Sequence, residues 1–207
     1  MIVNTPEQLI QMCKDKLIQI MEINEKNQWE LLTNKNGYTI HVMKNIENGV
    51  KINRTQAQIN KAPEVIAQYV ADLEKRKSID TRIEYASVLE EVDKDTKLIY
   101  IRLKPPIPFM SSRDLVLYQK IYRLENGMII VCQRSVIHQK QPPIYNVERA
   151  EMHFFGWILT PQQNGFTRII LIQCFDMKGQ MPQQLGNQFT QQQTELMEAV
   201  ILNLSHQ

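Results

Sequence analysis

Four Asn-Gly dipeptides, Asn36-Gly37, Asn48-Gly49, Asn126-Gly127 and Asn164-Gly165, constrain this chain more than any other feature. Asparagine and glycine tolerate the positive φ angles of a tight two-residue hairpin turn. The first two separate short alternating segments at 29–33, 38–43 and 50–59, the pattern of an antiparallel meander. Further strand segments follow at 82–91, 98–104, 113–123, 128–137, 146–159 and 166–175, so the sequence predicts about nine strands. In the last, Phe166, Ile170, Ile172 and Cys174 share one face and Ile169, Leu171 and Phe175 the other, so neither side of that strand is simply wet.

Three helices frame the strands. Thr5-Pro6-Glu7-Gln8 has capping-box spacing, and Leu9, Ile10, Cys13, Leu17, Ile20 and Met21 recur at helical intervals to about residue 25. Pro63 opens a second helix, with Val65, Ile66, Tyr69, Val70 and Leu73 on one face and a polar end at 74–78. Pro182 opens a long final helix to about Leu204. Its apolar side carries Met181, Leu185, Phe189, Leu196, Met197, Val200, Ile201 and Leu204, and its opposite side is rich in glutamine. The order predicts an α+β domain over 1–207, with one large, curved antiparallel sheet wrapped around the last helix. A sheet gripping a helix leaves an internal space able to hold an apolar ligand.

Composition excludes several function classes. With 207 residues, 43% hydrophobic and 22% charged, the chain needs no metal or disulfide to build a core. A net charge of +2 is too small for a nucleic-acid footprint. Apolar runs of about four residues cannot form a transmembrane helix. Cys13, Cys132 and Cys174 make no C-x-x-C pair, and the N-terminus shows no signal peptide; both point to the cytosol. No phosphate-loop, GxSxG or HExxH motif occurs, His138 and His153 have no second ligand at metal spacing, and no cofactor or catalytic residue is expected. One loop is unusual: Pro105-Pro106-Ile107-Pro108-Phe109-Met110 is irregular because of its prolines, yet apolar.

Particular residues then carry a family resemblance along nearly the whole chain. They are Trp29, Pro63-Glu64-Val65, Val88-Leu89, Lys104-Pro105 with Pro108, Ser112-Arg113-Asp114-Leu115-Val116, Ser135-Val136 with His138, Val147 with Arg149 and Glu151, Gly156, and Asp176 through Lys178-Gly179 to Met181-Pro182. In order and spacing the chain resembles the START family, the steroidogenic-acute-regulatory-protein-related lipid transfer domains. Between Tyr100 and Val116 it looks most like the phosphatidylcholine-transfer branch. The resemblance implies a helix-grip fold with an internal lipid tunnel, a protein that is not an enzyme, and one bound lipid, phospholipid favoured, moved between membranes. It implies a lid at Pro105, Ile107, Pro108, Phe109 and Met110 that touches the bilayer transiently, and a cytoplasmic, membrane-peripheral location. Arg76, Asp80, Arg102, Arg113 and Arg149 are its head-group candidates; Tyr100, Leu115, His153, Leu185, Phe189 and Met197 are its cavity and helix candidates.

Two departures from the family stand out. Arg102 occupies a position where relatives carry a carboxylate, which would set two arginines toward one cavity unless Arg102 turns outward. The positions that cage a choline ammonium in relatives fall on Ile101, Leu115 and His153, which supply no aromatic cage. A lipid-sensing or scaffolding domain with a protein partner is the alternative reading, and an enzyme of the wider helix-grip superfamily a weaker one.

Overall fold

The computed structural model describes residues 4–23, 28–35, 37–44, 50–105, 107–179 and 185–205. Ten strands form one sheet, nine of them in the order β1-β2-β3-β10-β9-β7-β6-β5-β4 and the tenth, β8, beside β6. They are β1 (Glu30–Lys35), β2 (Tyr38–Lys44), β3 (Lys51–Ile59), β4 (Ile83–Asp93), β5 (Thr96–Leu103), β6 (Ser112–Arg123), β7 (Ile129–Ser135), β8 (Val147–Arg149), β9 (Glu151–Pro161) and β10 (Thr167–Asp176). The pairings are antiparallel except that short β8 runs parallel to the start of β6. The expected strand at 146–159 is therefore two: Ala150 separates β8 from β9 and donates its N–H to the Asp114 carbonyl.

Helix α1 (Pro6–Glu22) has the expected cap: Gln8 N–H donates to Thr5 Oγ1 at 3.3 Å, and Thr5 N–H to Gln8 Oε1 at 2.9 Å. The expected second helix breaks at Asp72 into α2 (Pro63–Ala71) and α3 (Leu73–Ile79). The Asp72 carboxylate causes the restart by accepting from the N–H groups of Glu74 and Lys75. Helix α4 (Leu185–Ser205) is the long C-terminal helix; the Met181 and Pro182 positions lie outside the described residues.

Strand alternation gives the sheet two buried faces. The outer face meets α1: Ile10, Cys13, Leu17 and Ile20 pack on Leu98, Val116, Ile130, Cys132, Phe154, Ile158, Ile170 and Ile172. The inner face meets α2 and α4: Ile66, Val70, Leu196, Met197, Val200 and Leu204 pack with Ile99, Leu117, Val131, Trp157, Ile169 and Leu171. The two-sided apolar pattern of β10 is thus explained, one side serving each helix layer.

Candidate functional site

A small, partly open pocket of about 30 Å³ lies on the inner face. Its walls are apolar along Ile83, Ile101, Leu103, Leu115, Leu117, Met152 and Phe175, and its polar groups are Arg76, Asp80, Arg82, Gln133 and Gln173.

Helix α3 delivers the charges. The 74–78 stretch looks like a solvated helix end, but the restart at Asp72 turns Arg76 inward, 5.3 Å from the Phe155 ring centroid. Asp80 accepts from Arg76 Nε and Nη2 at 3.1 and 3.0 Å, and from the Arg82 backbone N–H, Nε and Nη2 at 3.3, 2.7 and 2.6 Å. Burial alone would raise the Asp80 pKa; the hydrogen bonds and charges of Arg82 and Arg76 overcome it and hold the carboxyl well below the ordinary range. Burial in turn lowers the Arg76 pKa against the opposing pull of Asp80. Two guanidiniums against one carboxylate leave a surplus of one positive charge at the cavity.

The amides come from the sheet. Gln119, Gln133, Phe155, Gln173 and Asn53 are successive partners in one row across β6, β7, β9, β10 and β3. All four polar members are buried. Gln133 Nε2 donates to Gln119 Oε1 at 2.7 Å, and Gln119 Nε2 to the Ala71 carbonyl at 3.0 Å, tying the row to the end of α2. The sequence reading missed this row. Its clearest signal is Gln173, a glutamine between apolar neighbours in Ile172-Gln173-Cys174, at an inward position.

Other expected site residues fall elsewhere. Arg102 turns to the outer side and pairs with Glu84 at 3.0 Å, because inward positions on β5 belong to Ile99, Ile101 and Leu103. Tyr100 is also outward: its hydroxyl donates to Asp114 at 3.2 Å, and burial, then the Asp114 charge, pushes its pKa up to about 12. Arg149 does not reach the cavity; it forks onto Asp114 at 2.6 and 3.1 Å. His153 sits beside Glu151 at 3.2 Å rather than in the cavity wall, where the β9–β10 register shifts and alternation is lost. Burial lowers its pKa against the pull of Glu151. Arg113 is buried, and its guanidinium donates to the carbonyls of Ser111 at 2.5 Å and Met177 at 3.5 Å. Leu115 does line the cavity, and Met197 is in the inner core. Leu185 and Phe189 lie on α4, with side chains outside the described residues.

In the 105–111 loop, Pro105 and Pro108 are exposed, Ile107 and Met110 half-buried, and Pro106 lies outside the described residues. Phe109 is fully exposed with φ +69°, a left-handed conformation unusual for an aromatic residue. A second loop stands beside it, because Ser112 pairs with Val147. That loop carries Tyr145, 90% exposed, and begins with fully exposed Ile137. The expected strand to residue 137 ends at Ser135, so His138 is a loop residue whose Nδ1 accepts from Lys140 N–H.

The START domain family model matches residues 9–197. The chain belongs to the START domain family. Human StAR-related lipid transfer protein 5 superposes with a TM-score of 0.84 at 19% identity, covering 98% of each chain. The Homeobox-leucine zipper protein ATHB-15 of Arabidopsis thaliana is 29% identical over 101 residues, 46% of this chain; the match spans 12% of that relative's length. A more distant likeness, TM-score 0.52 at 10% identity over 73% of this chain and 92% of the other, is to the Zhui aromatase/cyclase of Streptomyces sp. R1128. Family membership supports lipid binding and transfer as the general activity. Among the described residues no helix is long and apolar enough to cross a membrane.

Proposed function

We propose that this START domain binds one lipid, a phospholipid by preference, between its sheet and α4 and carries it between membranes. The observation that carries the reading is the inner-face pocket, where apolar strand residues meet one surplus positive charge, at Arg76 and Arg82, beside two carboxamides. Acyl chains gain about 0.8 kcal/mol per CH₂ by leaving water, and a phosphodiester satisfies a buried guanidinium through charge-assisted hydrogen bonds. Ile101 and Leu115 give no aromatic surround for a quaternary ammonium, so the phosphate rather than choline is the recognised feature.

Exchange takes place at a bilayer touched by Phe109 and Tyr145, the two fully or nearly fully exposed aromatics at the start of β6 and β8. The domain carries rather than converts its ligand. The one carboxylate among the described cavity residues already accepts five donors and stays ionised, so it has no proton to give as a general acid and is a weak general base at neutral pH. Incubation with mixed-lipid vesicles, re-isolation and mass spectrometry test the reading. One phospholipid per chain is expected; a folded protein that emerges without lipid would overturn it.

A further inference from the structure

The Gln173 carboxamide poses a problem that the fold alone does not solve. The residue is 94% buried by its 6% exposure, it borders the cavity, and its side chain has no hydrogen-bond partner among the described residues. A carboxamide mostly buried at a pocket wall is placed to exchange hydrogen bonds with whatever enters the pocket. Two strands away in the same row, Gln133 uses its N–H on Gln119 and also lines the pocket, with no donor to its carbonyl oxygen among the described residues. Between them lies Phe155, with the Arg76 guanidinium over its ring. Arg76 spends Nε and Nη2 on Asp80, while Nη1 has no partner among the described residues. Three polar groups with unused hydrogen-bonding capacity therefore line the same pocket. They comprise a charged donor, a carbonyl acceptor, and an amide that both donates and accepts.

That set selects among lipids. The charge surplus of one is neutralised by a head group with a single net negative charge, not by a zwitterion. A carboxamide pair that donates and accepts matches hydroxyls, which do both. Asp80 is saturated and offers nothing to an ammonium group. We propose that Gln133 and Gln173 are specificity-determining residues for a monoanionic, hydroxyl-bearing phospholipid head group, whose phosphodiester takes the free Nη1 of Arg76. The inference rests on the lipid-carrier reading above and goes beyond it by naming the head-group class and the residues that read it.

The test uses the whole chain incubated with vesicles of equimolar phosphatidylcholine and phosphatidylglycerol of identical acyl chains. Bound lipid is identified by mass spectrometry, and thermal stability is measured on lipid-free protein. The wild type is expected to favour phosphatidylglycerol about tenfold, the effect of one charge-assisted hydrogen-bond set. Gln173→Leu keeps the arginine surplus but loses the carboxamide contacts, so its preference for phosphatidylglycerol falls several-fold below that of wild type, and lipid-free it melts no lower than wild type. Gln173→Glu neutralises the surplus charge and shifts selection toward phosphatidylcholine. Gln133→Leu weakens selection and also loses stability, since it breaks the link to Gln119.

A Gln173→Leu variant that selects like wild type would overturn the inference, as would wild type that loads either lipid equally. The latter leaves the carrier reading standing. Folded wild type that takes neither lipid overturns both.

Discussion

On its α1 side the sheet is closed; on its α4 side it is not. Gly156 shows the first: a Cβ there would sit 2.2 Å from Leu17 Cδ1, so helix and sheet interlock with no space to spare. Gln173, on the adjacent strand, shows the second, a buried amide facing a cavity without a partner. The charges follow the same division. On the outer side Asp114 is fully satisfied by Arg149 and Tyr100. On the inner side Asp80 is also satisfied, but the surrounding arginines exceed it by one. The difference teaches that the same strands supply a self-complete core on one side and an incomplete, ligand-requiring surface on the other.

Substitutions can break this division, beginning with the largest effect. Arg149→Leu strands the buried Asp114 carboxylate and should cost about 3 kcal/mol in urea unfolding. Lipid selection in the protein that remains folded should not change, because Arg149 never meets the cavity. Gly156→Ala should cost about 1–3 kcal/mol, through displacement of α1 by the overpacked Leu17. Loss of near-ultraviolet dichroism from the α1 side, with lipid uptake retained, would sharpen the contrast.

Acid acts next. The Asp80 pKa is lower folded than unfolded, so the unfolded chain binds the extra proton first. Its stabilisation is complete above about pH 3.8 and is lost as pH falls below that value. Asp80→Asn should flatten that part of the urea midpoint against pH; an unchanged profile would place the acid sensitivity elsewhere. Smallest in stability is Phe109→Asp, within about 0.5 kcal/mol because the ring is fully exposed. The same change should markedly reduce vesicle association and slow transfer, while lipid already loaded stays bound.

Much of this fold was legible in the sequence. Asn-Gly turns, capping signals and the two-sided apolar pattern of β10 are local, and local chemistry decides them. Leu115 lies on the inner face beside the pocket and Met197 in the inner core, positions that a resemblance and helical spacing make readable from the chain alone. Arg102, Tyr100 and His153 were misplaced because facing depends on register: one shift between β9 and β10 reorients His153, and the inward set of β5 is the odd-numbered one. Arg149 needed its partner Asp114 from another strand to be recognised as structural. The glutamine row is invisible along the chain for the same reason, since its members lie far apart in sequence and meet only through sheet pairing. The helix break at Asp72, which turns Arg76 inward, leaves no such local signal in the sequence.

A phospholipid with a photoreactive group near its head, loaded from vesicles and cross-linked in place, tests the central claim most directly. Residue-level mass spectrometry should find adducts on inner-face cavity residues such as Leu115, Met152 and Phe175. Adducts confined to outer-face residues such as Tyr100, Val116 and Cys132 would contradict the account.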